Sequence, residues 1–311
     1  MTRNESLKEV RARLDELRLL VNLPGDVPLP VCSACRRAAR ENVACAVCGR
    51  IFHASCLDDG KICCDCARSD FAGERPRSTL LQEMKVITLE RDMSELLLIP
   101  EGEFGIGEEH DSVRVWLDSF FIGMFCVTNA QYAKFVREAG HRAPNNTLWN
   151  KATHTRHPVV NVSWDDAQAY AEWAGCELPT EAQWEKAARG PNGYMYPWGN
   201  EWDPSKIHYS INGESVATVS VDEYPQGASG YGTYQQAGNV CEWCYDWYSS
   251  GYFKKPEAAR NPRGPSTGSL RVYRGGSWTF DDPVSFRASF RNGIAPSHRS
   301  ARLGFRLAKR A

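Results

Sequence analysis

One local signal occurs three times between Thr128 and Gly190, and it limits what this chain can fold into. Thr128-x-x-Gln131 precedes Tyr132, Phe135 and Val136, and Gly140 follows. Ser163-x-x-Asp166 precedes Ala167, Tyr170 and Ala171, and Gly175 follows. Thr180-x-x-Gln183 precedes Trp184, Ala187 and Ala188, and Gly190 follows. In each, a side-chain oxygen caps a free backbone N–H, and the residue three places on answers back. The acid at Asp166 also suits the helix dipole. Each glycine leaves the helix in the left-handed conformation at low strain. Three short helices are therefore predicted, with structural rather than catalytic caps.

The sequence around them reads as strand and loop. Leu96–Pro100, residues 102–107 and residues 113–129 are apolar, strand-like runs, with Leu117, Phe121 and Phe125 as core. Residues 191–236 are rich in Gly, Pro, Tyr and Ser and read as long ordered loops. Near the end, Leu270–Arg274 runs into the turn Gly275-Gly276, and Gly304–Ala308 alternates Phe305 and Leu307 with Gly304 and Arg306. Two strands thus frame polar, irregular sequence containing Arg287, Arg291, Arg299 and Arg302, a layout suited to displaying side chains. The fold class is α+β.

Chemistry is densest near the start. Of twelve cysteines, eight fall between positions 32 and 66. Cys32-x2-Cys35, Cys45-x2-Cys48, His53-x2-Cys56 and Cys63-x2-Cys66 make four ligand pairs, enough for two tetrahedral zinc sites. Cys64 is a ninth donor that could replace Cys63. Without a secretory signal, such a cluster reads as metal-binding rather than as disulfides. In a segment with so little core, zinc would supply much of the folding free energy. Upstream, Leu7, Val10, Leu14, Leu17 and Val21 form an a/d seam of about two heptads. It reads either as a helix packed on its own chain or as one that docks a partner.

The 311 residues suffice for two domains, and the formal net charge of −1 gives no nucleic-acid footprint. No apolar run reaches transmembrane length, and the N-terminus lacks an apolar signal core, so a cytoplasmic protein without a membrane partner is expected. The expected organisation is a helix at 1–24, a zinc module at 28–68, a linker at 69–94 with a helix around 79–92, and the α+β domain at 95–311.

Several motifs, in order, resemble the formylglycine-generating (sulfatase-modifying-factor) family: HPVVNVSWDDAQAYAEWAG at 157–175, LPTEAQWEKAARG at 178–190, YPWGN at 196–200, GNVCEW at 238–243, RGGSW at 274–278 and LGFRL at 303–307. The resemblance implies a C-type-lectin-like domain. The cysteine pattern with FHASCL at 52–57 resembles a PHD or RING-like treble-clef module. If that module is cross-braced as in those families, the first pair shares a zinc with His53 and Cys56, and the second with Cys63 and Cys66.

The family's oxidation of a substrate cysteine uses copper held by two thiolates just after GGSW. Here Phe280 and Ser285 stand at those positions, and Cys244 is the last cysteine in the chain. Related iron-dependent sulfoxide synthases carry histidine ligands in a helical domain not evident here. Some relatives bind calcium through the GNVCEW segment. Carried over, Gly238 and Val240 would give carbonyls and Glu242 a carboxylate, with Gln235 where the family usually has Asn. Cys241 and Cys244 stand where the family usually has packed or small residues, so their spacing reads as packing rather than redox chemistry.

The residues 287–307 also resemble the variable, ligand-binding proteins of diversity-generating retroelements. That likeness implies a frame of Trp278, Arg287, Phe290, Arg291, Pro296, Arg299, Gly304, Phe305 and Arg306. Ligand-facing positions would be Thr279, Phe280, Asp281 and Asp282, then Asn292, Gly293, Ile294 and Ala295, then His298, Ser300 and Ala301, with Trp278 and Arg291 at their edge. The reading reached is a non-catalytic protein-recognition domain with a zinc module, or the N-terminal helix, for a partner. The alternative is a metal-dependent oxidase of the same superfamily. A purely structural scaffold fits less well with Phe280 and Ile294, which look exposed.

Overall fold

The computed structural model describes residues 85–210 and 217–311, together with four two-residue strands nearer the N-terminus. These strands, β1 (Val43–Ala44), β2 (Ile51–Phe52), β3 (Leu57–Asp58) and β4 (Ile62–Cys63), form two antiparallel hairpins, β1–β2 and β3–β4. The first hairpin's connection contains Cys45 and Cys48 in sequence, and Cys63 lies in β4. The other seven expected zinc ligands, Cys45 and Cys48 among them, and the 1–24 helix lie outside the described residues. The chain divides into two units, Met1–Glu83 and Met84–Ala311.

The second unit begins earlier than its sequence suggested. β5 (Val86–Thr88) pairs with β6 (Glu95–Ile99), so a strand lies where a linker helix was expected. β7 (Gly102–Ile106) and β8 (Val113–Leu117) form a separate hairpin. β9 (Phe120–Gly123) joins β6. All three capping boxes form. Thr128, Ser163 and Thr180 open α1 (Asn129–Ala139), α2 (Trp164–Trp173) and α3 (Glu181–Arg189). Each cap oxygen accepts the third backbone N–H at 3.2–3.3 Å, and each answering side chain accepts the cap N–H at 2.8–2.9 Å.

β10 (Cys241–Trp247), β11 (Arg271–Arg274), β12 (Arg291–Ile294) and β13 (Leu303–Gly304) make a sheet in the order β12-β11-β10-β13, with only the β10–β13 pair parallel. β14 (Ala308–Arg310) closes the other sheet, ordered β14-β9-β6-β5. The run read as one alternating strand, 304–308, is thus split between two sheets. Residues 303–308 are all buried, so no half-exposed strand exists there.

The core explains the unbroken burial of Cys241–Cys244 in β10. Cys241 and Trp243 face a cluster with Tyr132, Phe135, Tyr170 and Phe305. Cys244, on the opposite face, packs with Trp184 and Ala188 of α3 and with Val272. A strand covered on both faces loses its polar side. Leu117 and Phe121 are buried as expected, and Phe125 is half-buried. No helix among the described residues is long and apolar enough to cross a membrane.

Candidate functional site

The segment between β11 and β13 is built on its arginines. Gly275 and Gly276 turn the chain out of β11 with φ of +97° and +65°, which side chains rarely adopt. A Cβ on Gly276 would also lie 2.6 Å from Phe286 Cδ1. Arg274, fully buried, donates to Glu185 of α3 and lies 3.0 Å from Glu181. Arg291 meets Glu181 through two bonds of 2.6 and 2.7 Å and donates to the Ser249 carbonyl. Arg299 reaches Asp166 Oδ2 at 3.1 Å and the Ser163 hydroxyl at 3.2 Å, so it grips the cap of α2. Arg287 pairs with Glu108, which also accepts from Ser289 Oγ. Arg302 alone reaches along the surface, to Thr279 Oγ1 and over the Phe280 ring.

Three of the four arginines are therefore tethers. Arg291 in particular is committed to Glu181, which leaves it to hold the segment rather than to reach a ligand. Burial raises the Asp166 pKa, but hydrogen bonds from Arg142, Ser163 and His141 outweigh it and hold the group well below the usual carboxylate range. It stays ionised and keeps Arg299 in place. Glu181 and Glu185 were not singled out by sequence. Their i,i+4 spacing, two carboxylates on one helical face, was the available signal.

Above these tethers, Thr279, Asp281, Asp282, Asn292, Ala295 and Ala301 are exposed. Trp278, Phe280, Gly293, Ile294, His298 and Ser300 are half-buried. The structure joins the two ends of the segment: Trp278 Nε1 points to the Ala301 carbonyl at 3.4 Å, and Arg302 meets Thr279 and Phe280. Asn292, Gly293 and Ile294 stand on the edge strand β12. Phe280 and Ile294 are less free than expected, since both pack partly against the main core. Beside Trp278 and Ala301 opens a cleft of about 260 Å³, lined also by Asn129, His154, Val160 and Asn161. None of those last four was singled out by sequence.

The calcium donor set does not fit a calcium ion. Glu242, fully buried, accepts two bonds from Arg306 at 2.6 and 2.7 Å and one from Trp184 Nε1 at 2.8 Å. The guanidinium already supplies the positive charge. The Gln235 carbonyl oxygen accepts from Asn239, and its amide donates to the Ser220 and Glu223 carbonyls. Among the described residues, no three His, Cys, Asp or Glu side chains group as a metal site.

Among the described residues of the family domain, copper finds no thiolate pair either. Cys126, Cys176, Cys241 and Cys244 are buried and unpaired. Burial raises every one of their pKa values, to about 11 at Cys176 and about 12 at Cys241. Cys241 and Cys244 point to opposite faces of β10 and into different clusters, so they cannot share an ion or a disulfide.

Comparison with known proteins agrees with this architecture. Residues 83–311 match the sulfatase-modifying factor enzyme 1-like domain. The chain belongs to that family. It is 32% identical over 280 residues to the formylglycine-generating enzyme of Thermomonospora curvata, covering 68% of this chain and 92% of that one. The fold is shared with PvdO from Pseudomonas aeruginosa (TM-score 0.63, 23% identity, 73% of this chain and 98% of that one). It is also shared with Treponema denticola variable protein 1 (TM-score 0.60, 24% identity, 73% and 99%).

Proposed function

We propose that the family domain of this chain is a non-catalytic recognition domain that binds a protein target on residues 278–303. The observation that carries this reading is the division of labour in that segment. Arg287, Arg291 and Arg299 are tied down by carboxylates, while small and polar side chains stand exposed above them. Such pre-organisation lowers the ordering cost of binding. Mixed aromatic, small and polar side chains suit adaptable contact with a protein. The fold likeness to a variable protein makes diversification of these positions a further part of the proposal. The module at 28–68, binding two zinc ions, would serve with the N-terminal helix to dock a second protein.

The test sets this reading against the oxidase alternative. Full-length protein is loaded with Cu(I) and incubated, in air, with a cysteine-containing peptide of the kind formylglycine-generating enzymes oxidise. No formylglycine product is expected, whatever copper the thiolates of residues 32–66 take up. In parallel, crosslinked capture should recover a target that is lost when Thr279, Asp281, Asn292 and Ala295 are replaced together. Stoichiometric copper with peptide oxidation would overturn the proposal.

A further inference from the structure

We infer that Arg302, with the Tyr273 hydroxyl beside it, is where the platform receives a carboxylate of its protein target. This rests on the recognition reading above and names the chemistry of one contact on that surface. Arg302 differs from the other arginines of its segment. Arg287, Arg291 and Arg299 each meet a carboxylate, at Glu108, Glu181 and Asp166. Arg302 is exposed and meets none among the described residues. Asp281 and Asp282 stand in the same segment, yet neither pairs with it; Asp282 Oδ1 instead accepts the Val284 N–H at 3.0 Å.

The charge is nevertheless held in place. The Arg302 carbonyl accepts the Cys241 N–H at 2.8 Å, which fixes its backbone to β10. Its guanidinium lies over the Phe280 ring, 5.5 Å from the centroid, and donates to Thr279 Oγ1 at 3.3 Å. Phe280 is itself packed edge-on against Phe290. A guanidinium carries its donors in a flat fork, so most of those on Arg302 stay unused. A long side chain constrained in this way loses less freedom when it binds.

The second observation is Tyr273, which the sequence did not mark. It is half-buried on β11, and its hydroxyl has no hydrogen-bond partner among the described residues without being sealed from solvent. Burial first, and Cys241 second, raise its pKa, while the Arg302 charge opposes both. The phenol therefore stays protonated, a donor within the field of that guanidinium. Tyr273 stands opposite Asn292 of β12, so the two side chains share one face of the sheet. Asn292 is exposed, and its Oδ1 accepts the Gly293 N–H at 2.8 Å, which leaves the amide donors to face outward. Unused N–H and O–H donors around one uncompensated positive charge suit a single oxyanion. A carboxylate carries that one negative charge and offers two oxygens that match the guanidinium fork.

The experiment pans full-length protein against a display library of random dodecapeptides. Recovered peptides are synthesised and titrated by fluorescence polarisation. Aspartate or glutamate should recur at one position. Changing that acid to its amide should weaken binding about tenfold, and Arg302→Gln should do the same. Tyr273→Phe, which keeps the ring, should weaken it about threefold. Arg302→Glu should abolish binding and restore it to peptides with lysine at the acidic position, a rescue that a misfolded protein does not give. No recurrent acid, or no rescue by lysine, would overturn the inference. A phosphoserine peptide that binds about tenfold tighter than its glutamate counterpart would overturn the choice of carboxylate over phosphate. Peptides that are lost when Thr279, Asp281, Asn292 and Ala295 are replaced together, but that ignore Arg302→Gln, sink this site and leave the recognition reading standing. Peptides indifferent to every one of these changes, or no peptides recovered at all, sink both.

Discussion

Arg306 and Glu242 meet in a fully buried, two-bonded ion pair, at 2.6 and 2.7 Å, at the point where the C-terminal chain crosses from one sheet to the other. Arg306 also donates to the Gly123 and Tyr234 carbonyls at 2.9 and 2.8 Å, so its charge is spent entirely inside the protein. Removing one partner leaves the other charge buried alone. Arg306→Met should destabilise the domain by roughly 3–5 kcal/mol, and Glu242→Gln by a similar amount. The double variant Glu242→Gln/Arg306→Met should lose less than the sum of the two. Urea denaturation of all four proteins checks this, and a single-variant loss below about 1 kcal/mol would contradict the pair's role.

The same pair predicts the response to metals. With Arg306 filling the charge requirement at Glu242, added calcium should leave the melting temperature unchanged. Zinc should behave differently. Elemental analysis of full-length protein prepared without chelator should find about two zinc per chain. Strong chelation should unfold the 28–68 module while the melting transition of the family domain persists. A calcium-dependent rise in that transition would count against the Arg306–Glu242 assignment.

Much of this fold could be read from sequence because its signals are local. The three capping boxes span four residues each, and all three helices begin where Thr128, Ser163 and Thr180 put them. The anchors of the platform could not be read in that way. Arg291 and Glu181 lie 110 positions apart, and Arg299 and Asp166 lie 133 apart. One sequence shows each charge but not its partner, so Arg291 stood both in the frame and at the edge of the ligand-facing set, and only its bonds to Glu181 decide between them. The split of residues 304–308 was hidden for a related reason. Alternation of Phe305 and Leu307 with Gly304 and Arg306 implies one wet face only if Arg306 is solvated, and here Glu242 neutralises it in the core.

The four cysteines of the family domain should be inert while it is folded. Each thiol is buried and held protonated by that burial, and the thiolate is the reactive form. Iodoacetamide labelling followed by peptide mapping should modify Cys126, Cys176, Cys241 and Cys244 only as fast as the domain unfolds. Rapid native labelling at Cys241 or Cys244 would reopen a redox role for β10.

Asp246 gives the domain a pH dependence of unusual sign. It is 1% exposed on β10, and its Oδ2 accepts the Glu181 N–H at 2.7 Å while Oδ1 has no partner among the described residues. Burial first, and the nearby Glu181 carboxylate second, push its pKa up to about 7 from an ordinary value of 3.8. Between those two values the folded protein holds a proton that the unfolded chain has released. The contribution is therefore fully present below about pH 4 and is lost as pH rises through about 7. Asp246→Asn keeps the shape and removes the titration. Wild-type stability should fall by roughly 2–4 kcal/mol relative to the variant across that window. Parallel urea titrations from pH 4 to 8 would show it, and parallel stability curves for the two proteins would mean that Asp246 is already ionised in the fold.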